Sequence, residues 1–121
     1  VNVFDASALL AFLRGEEGAD EIERALDAGG VCGAANWSEV IQVLIRHGRD
    51  WELSVALLQS YGLDVLPVSG EDGEWAARRW RRGESLSLGD RLCLALGERM
   101  DATVWTADKE WGDGGRVRQI R

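Results

Sequence analysis

Four carboxylates in this sequence stand where chemistry can be assembled, three of them past the ends of apolar runs and one at the start of a helix. Asp5 follows Val1-Asn2-Val3-Phe4, and Asn36 and Glu39 follow Val31-Cys32-Gly33-Ala34. Thr106 and Asp108 come after Ala102-Thr103-Val104-Trp105, and Asp90 stands in the first turn of a helix introduced by Ser87-Leu88-Gly89. If the apolar runs are parallel strands, these residues collect at one edge, because ligands bind beyond the carboxyl ends of such strands. Oxygen ligands with no histidine or cysteine among them suit Mg²⁺ or Mn²⁺ and disfavour zinc. A divalent ion held by carboxylates polarises a phosphoryl oxygen, lowers the pKa of an attacking water and steadies the leaving oxygen. Two such ions about 3.5–4 Å apart suit in-line phosphodiester cleavage. The single histidine, His47, lies next to Gly48 at a helix end, where capping of carbonyls is its expected role, and no nucleophilic triad can be assembled from it.

Capping is the competing explanation for the acids. Ser87-x-x-Asp90 and Asn36-x-x-Glu39 both resemble capping boxes, and Asp5 and Asp108 suit N-caps. Ser69-x-x-Asp72 repeats the spacing with no sign of chemistry around it. Convergence separates the two readings. Carboxylates that share a cleft repel one another unless they are protonated or bridged by a cation, whereas caps have no reason to converge.

The elements that must deliver these residues alternate along the chain. Strands are expected at Val1–Phe4, Val31–Ala34, Leu63–Val68, Ala102–Trp105 and Val117–Ile120, with Pro67 placing the third at an edge or a terminus. Helices are expected over residues 6–13, 19–28, 36–46, 51–61, 71–82 and 88–100, from apolar residues at helical spacing and the glycines that end them. Val40, Ile41, Val43, Leu44 and Ile45 nearly fill the circumference of the third helix, which places it centrally or at an interface. Strands separated by helices imply a small parallel sheet flanked by α-helices on both faces, an α/β fold.

A length of 121 residues fits one compact domain spanning the whole chain. No apolar run approaches the ~20 residues of a membrane-spanning helix, and no basic-then-apolar leader precedes the first strand. The opening Val1-Asn2-Val3, without a methionine, reads as a chain that has lost a residue or two. Cys32 and Cys93 lie in apolar runs and are expected to be buried free thiols in a reducing cytoplasm. The formal net charge of −7 argues against general affinity for nucleic acid. Assigning four of the 21 acids to a metal site leaves −3 for the remainder. Bound Mg²⁺ would turn the most acidic spot into one that accepts phosphate.

In this order, Phe4-Asp5-Ala6-Ser7-Ala8-Leu9-Leu10, Ala35-Asn36-Trp37-Ser38-Glu39-Val40, Leu86-Ser87-Leu88-Gly89-Asp90-Arg91-Leu92-Cys93-Leu94-Ala95 and Thr106-Ala107-Asp108-Lys109-Glu110-Trp111 are familiar. The chain resembles the PIN-domain ribonucleases, most closely the VapC-type toxins of bacterial VapBC toxin–antitoxin pairs. The resemblance implies that Asp5, Glu39, Asp90 and Asp108 form an acidic quartet around Mg²⁺ or Mn²⁺. It also implies that Thr106 orients the last acid, with Ser7 and Asn36 as polar neighbours. The implied reaction is metal-dependent endonucleolytic hydrolysis of RNA by an activated water. The implied partners are a second copy of the chain and a cognate VapB-type antitoxin. Trp105, Trp37 and the Glu84-Ser85 approach depart from the usual pattern without removing a ligand, and Trp105 is expected to be a core residue.

A PIN nuclease for housekeeping RNA processing and an inactive PIN binding subunit are the alternatives. A phosphoacceptor receiver would need an acid pair after the first strand, and a haloacid-dehalogenase-type phosphatase would need aspartate where Ser7 stands.

Substrate contacts have a weaker signal. The fifth helix starts with Glu71, Asp72 and Glu74 and ends with Arg78, Arg79, Arg81 and Arg82, with Trp75 and Trp80 among them. Arg78, Arg79, Arg82 and Arg91 are candidates for holding RNA phosphates, and an adjacent tryptophan suits stacking on an unpaired base. Complementing the helix dipole explains the same charge order. Arg91 and Lys109 directly follow acids of the quartet, and solvated ion pairing is the expected role of each.

Overall fold

The computed structural model describes residues 1–121. Five parallel strands, β1 (Asn2–Phe4), β2 (Gly30–Gly33), β3 (Asp64–Leu66), β4 (Thr103–Thr106) and β5 (Val117–Gln119), lie in the order β3-β2-β1-β4-β5. Six α-helices connect them: α1 (Ala6–Arg14), α2 (Ala19–Asp27), α3 (Ala34–Arg46), α4 (Trp51–Ser60), α5 (Gly70–Arg78) and α6 (Leu88–Met100). A 3₁₀ turn, Lys109–Trp111, follows β4. The architecture is the expected α/β one. β3 is an edge strand, and it stops at Leu66 because Pro67 has no N–H to extend the ladder.

Neighbouring residues on a strand point to opposite faces, and each face of this sheet has its own core. Phe4 and Cys32 pack with Leu9, Ile22, Leu26, Val40, Leu44 and Leu58 from the first four helices. Val3, Val31 and Val104 pack with Cys93 and Leu96 of α6 on the other face. Both cysteines are buried and free, and burial pushes both thiols well above their ordinary pKa. No helix is long and apolar enough to cross a membrane.

Three expectations about the elements need correction. α5 ends at Arg78, four residues before the expected Arg82, so Arg79 and Arg82 lie outside it. Its last turn tightens as the Trp80 N–H bonds the Ala77 carbonyl, and Arg79 reaches forward to Glu84 instead of continuing the helix. α3 begins at Ala34, directly after β2, so Asn36-x-x-Glu39 is no capping box: the N-cap is Gly33, without a side-chain bond. Of the two placements expected for α3, central or at an interface, the central one does not hold, since Val40 and Leu44 are buried while Ile45 is 56% exposed.

α6 crosses the sheet closely because of one glycine. A Cβ on Gly97 would collide with Val104 Cγ2 of β4, inside the tightly packed second core. Gly97→Ala is therefore expected to cost about 1–3 kcal/mol through overpacking, despite alanine's better helix propensity. Urea denaturation checks this, and a midpoint at or above that of the parent protein would refute it.

Candidate active site

The carboxyl edge of the sheet is where these connections converge. β1 is flanked by β2 on one side and β4 on the other, so the chain departs in opposite directions around it and leaves a crevice there. A cleft of about 250 Å³ at this edge is lined by Asp5, Ser7, Asn36, Glu39, Asp90 and Asp108, with Leu10 and Val43 at its apolar side. All four candidate acids thus face one cavity, although four separate segments carry them.

Asp5 is the most constrained. It follows β1, is 4% exposed, and N-caps α1 by accepting the Ala8 N–H at 2.8 Å. Ser7 Oγ lies 2.8 and 2.9 Å from its two oxygens, and Thr106 Oγ1 donates to Oδ2 at 2.6 Å. Burial dominates these bonds and lifts the carboxyl from its ordinary 3.8 to about 6, with the negative charge of Asp90 adding to the rise.

Thr106, fully buried at the end of β4, joins two acids. The hydroxyl that donates to Asp5 also accepts the Asp108 backbone N–H at 3.0 Å. Ser7 Oγ in turn accepts the Ala107 N–H at 2.9 Å, stitching the start of α1 to the segment after β4.

The other three acids share a pattern. Asp90 Oδ2 accepts the Ser87 N–H at 2.9 Å in a complete capping box, and its Oδ1 has no hydrogen bond. Asp108 caps the 3₁₀ turn through Oδ1, which accepts the Glu110 N–H at 3.0 Å, and its Oδ2 is free. Glu39 Oε1 accepts from Asn36 Nδ2 at 3.0 Å, and its Oε2 is free. Capping and convergence therefore coexist. Each carboxylate is oriented through one oxygen and keeps the other available. Burial and the neighbouring Asp90 raise the pKa of Glu39 above the ordinary carboxylate range, while its bond from Asn36 opposes the rise. By contrast Asp72, in the other complete capping box, is held bidentately by Arg99 and lines no part of this cleft.

Gly89, within the Leu86–Ala95 segment but not among the expected site residues, also sets Glu39. Its carbonyl accepts from Asn36 Nδ2 at 3.2 Å, and a Cβ on it would lie 2.8 Å from Glu39 Oε1. The missing side chain lets the Glu39 carboxylate rest against the first turn of α6. Besides its place in that segment, its sequence signal is a glycine at a helical position where most residues would form helix better.

The basic candidates are dispersed. Arg91 donates to the Ala76 carbonyl of α5 at 2.7 Å, and neither it nor Lys109 makes an ion pair, contrary to expectation. Arg79 is engaged bidentately by Glu84 at 2.7 and 3.1 Å. Arg78 and Arg82 are exposed, and none of the four lines the acidic cleft. His47 is the C-cap of α3, but the cap bond is made by its backbone N–H. Trp105 is half-buried against the first core, with Nε1 donating to Asn2 Oδ1 at 2.8 Å. A larger groove of about 720 Å³ lies between Trp75, Leu94 and Trp111, with Glu98 its only carboxylate, so chemistry and not size singles out the smaller cleft.

Residues 3–116 match the PIN domain family model. The chain belongs to the PIN-domain family, in its VapC ribonuclease group. Ribonuclease VapC42 of Mycobacterium tuberculosis and a VapC ribonuclease of Mycobacterium bovis are each 31% identical to it over 107 residues, covering 79% of this chain and 82% of the relative. Among solved structures, a toxin–antitoxin complex from Klebsiella pneumoniae aligns over 100% of this chain and 98% of its own, with TM-score 0.77 at 19% identity. Mycobacterium tuberculosis VapC20, described as a sarcin-ricin loop cleaving toxin, aligns over 98% of this chain and 99% of its own, with TM-score 0.73 at 18% identity. At such low identity these two bear on the fold alone, and it is the PIN fold.

Proposed function

We propose that this VapC-type PIN protein is the toxin of a toxin–antitoxin pair, an endoribonuclease that hydrolyses RNA with Mg²⁺ or Mn²⁺. The observation that carries the reading is the cleft where Asp5, Glu39, Asp90 and Asp108 meet, three of them with one oxygen committed to a cap or an amide and the other free. The donors fit a hard divalent cation. They are all oxygens, and the Asp5 and Glu39 carboxyls, raised first by burial and further by the nearby Asp90 charge, are groups whose ionised form a cation would favour. As the side chains stand, no three of them are grouped closely enough to hold one ion together, and Mg²⁺ is usually bound through one or two carboxylates with several waters kept. When bound, the ion supplies phosphoryl polarisation and water activation.

The chain's own residues then do the positioning. Ser7 and Thr106 hold Asp5 from both sides, Asn36 sets Glu39, Ser87 sets Asp90, and the 3₁₀ turn sets Asp108. The free Oε2 of Glu39, Oδ1 of Asp90 and Oδ2 of Asp108 are the oxygens able to accept a proton from water or to hold the ion. A VapB-type antitoxin and a second copy of this chain are the protein partners in this reading. Ile45, Leu53 and Leu57, exposed on α3 and α4, offer apolar surface for such contacts.

The test is cleavage of total bacterial RNA by purified protein. Cleavage with Mg²⁺ or Mn²⁺ is expected, lost in chelator and restored by excess cation. Activity persisting in chelator would overturn the metal–carboxylate mechanism, and absence of cleavage with either ion would overturn the nuclease reading. Sequencing the cut ends identifies the RNA.

A further inference from the structure

From the last residue of α5 into the segment before α6 there are four arginines within five residues, Arg78, Arg79, Arg81 and Arg82, with only Glu84 opposing them, in a protein of net charge −7. It is not loose chain. Arg79 closes it through the bidentate bond to Glu84, and Arg81 Nη1 donates to the Arg78 and Trp80 carbonyls at 2.8 and 2.9 Å. Two of the arginines are thus spent on building the loop. What they hold out is Trp80, 51% exposed, with the Arg82 guanidinium over its ring at 5.7 Å from the centroid. Trp80 is the most exposed of the aromatic residues. A large aromatic face left in water, stiffened by its backbone and topped by a cation, is costly for a surface whose only task is solubility.

The loop stands at the acidic end of the molecule. α5 and α6 run antiparallel: Asp72 at the start of α5 binds Arg99 in the last turn of α6, and the Ala76 carbonyl of α5 binds Arg91 in the first turn of α6. That first turn carries Asp90. The chain from Trp80 to Ser87 therefore returns to the same edge of the sheet as the acidic cleft.

We propose that Trp80, together with Arg82, forms a stacking platform for an unpaired base of the RNA beside the scissile phosphate. The inference rests on the nuclease reading and adds to it a binding element outside the cleft. Every base has a π-face, so a tryptophan takes bases with little regard to identity, and a guanidinium adds to the contact while countering phosphate charge. An arginine–tryptophan pair suits nucleic acid better than an apolar peptide, which would need a groove and not an isolated projecting ring. This platform also answers the charge problem, because local basicity draws a strand that the protein as a whole repels.

The test uses the cleavage-impaired Asp5→Asn protein and a fluorescein-labelled single-stranded RNA of about twelve nucleotides, compared with an abasic strand of equal length and charge. Trp80→Ala is expected to weaken binding of the base-bearing RNA about tenfold and to abolish its advantage over the abasic strand. Trp80→Phe should retain most of both. The ring makes no core contact, so the thermal midpoint should move by no more than about 2 °C. Equal affinity for base-bearing RNA before and after Trp80→Ala would overturn the platform, as would absence of RNA binding by the Asp5→Asn protein. Unchanged RNA binding with a weakened complex between the toxin and its antitoxin would reassign Trp80 to the protein partner and overturn it equally. Metal-dependent cleavage of total RNA by the otherwise unaltered protein separates the two levels: cleavage with an unaffected platform sinks only this inference, and no cleavage sinks the nuclease reading beneath it.

Discussion

Asp5→Asn is expected to reduce RNA cleavage at least a thousandfold while making the metal-free protein more stable at neutral pH. The two effects have one origin. Asp5 is buried with a carboxyl lifted to about 6, so the folded state holds its proton more tightly than the unfolded chain, where the value is near 3.8. The Asp5 contribution to the stability of the metal-free protein is then greatest below about pH 4. It falls as pH rises through 6, by about 3 kcal/mol in all, because the folded state binds more protons than the unfolded one across that window. Asparagine resembles the protonated acid. Its oxygen can still accept the Ala8 N–H, and its amide can donate to the Ser7 and Thr106 hydroxyls. The variant should therefore lack the fall with pH, matching the parent near pH 4 and melting several degrees higher near pH 7.5 in chelator. Adding Mg²⁺ should raise the parent's midpoint and leave the variant's unchanged. A variant that cleaves normally, or that is less stable than the parent across the pH range, would make Asp5 an ordinary cap.

That result would also explain how the same acids cap helices and still converge. Ser69–Asp72 and Ser87–Asp90 are alike as capping boxes, and nothing local distinguishes them. The difference is tertiary. Asp72 meets Arg99 and is held below the ordinary carboxylate range, whereas Asp90 meets Glu39 and Asp5 and contributes to raising both. A capping acid that finds a cation is a finished structural part. One that finds other acids is missing a partner, and in the proposed mechanism a divalent ion would supply it.

How much of this was legible depended on range. α6 could be read to its boundaries because Ser87, Asp90 and the glycine-bracketed apolar face all lie within the helix or one residue of it. The sheet edge that collects the acids followed from the alternation of strands and helices, which is a property of the whole chain. The end of α5 could not be read. Alanine and arginine continue a helix readily, and only the forward tie of Arg79 to Glu84, beyond the expected helix end, and the tightened turn at Trp80 stop it. Nor could the fate of Arg91 be read, since its partner is a backbone carbonyl fifteen residues away. Asn36-x-x-Glu39 misled for the opposite reason. The spacing was right, but β2 runs into α3 without a loop, so the pair sits inside the helix as an i,i+3 contact.

Thr106→Val should produce the second large effect, a cleavage loss of at least a hundredfold with a drop of about 10 °C in the metal-free midpoint. Valine keeps the shape and the strand preference of threonine, so the change isolates the hydroxyl. That hydroxyl donates to Asp5 Oδ2 and accepts from the Asp108 N–H. Removing it leaves Asp5 Oδ2 with Ser7 as its one hydroxyl donor and strands the half-buried Asp108 N–H; at about 1–3 kcal/mol for each lost bond, the sum in a chain of this size corresponds to a shift of that order. It also releases two of the four acids at once, which no substitution at a single carboxylate does. The bond from Thr106 is the strongest influence holding the Asp5 carboxyl down, so its loss should carry that group above 6. Metal-free stability should then fall with pH over a window reaching higher than in the parent protein. Thr106→Ser should restore cleavage to within about tenfold together with the parent pH dependence. A valine variant that loses stability but keeps both its cleavage rate and its pH window would show that Thr106 only packs, and that Asp5 and Asp108 find their places without it.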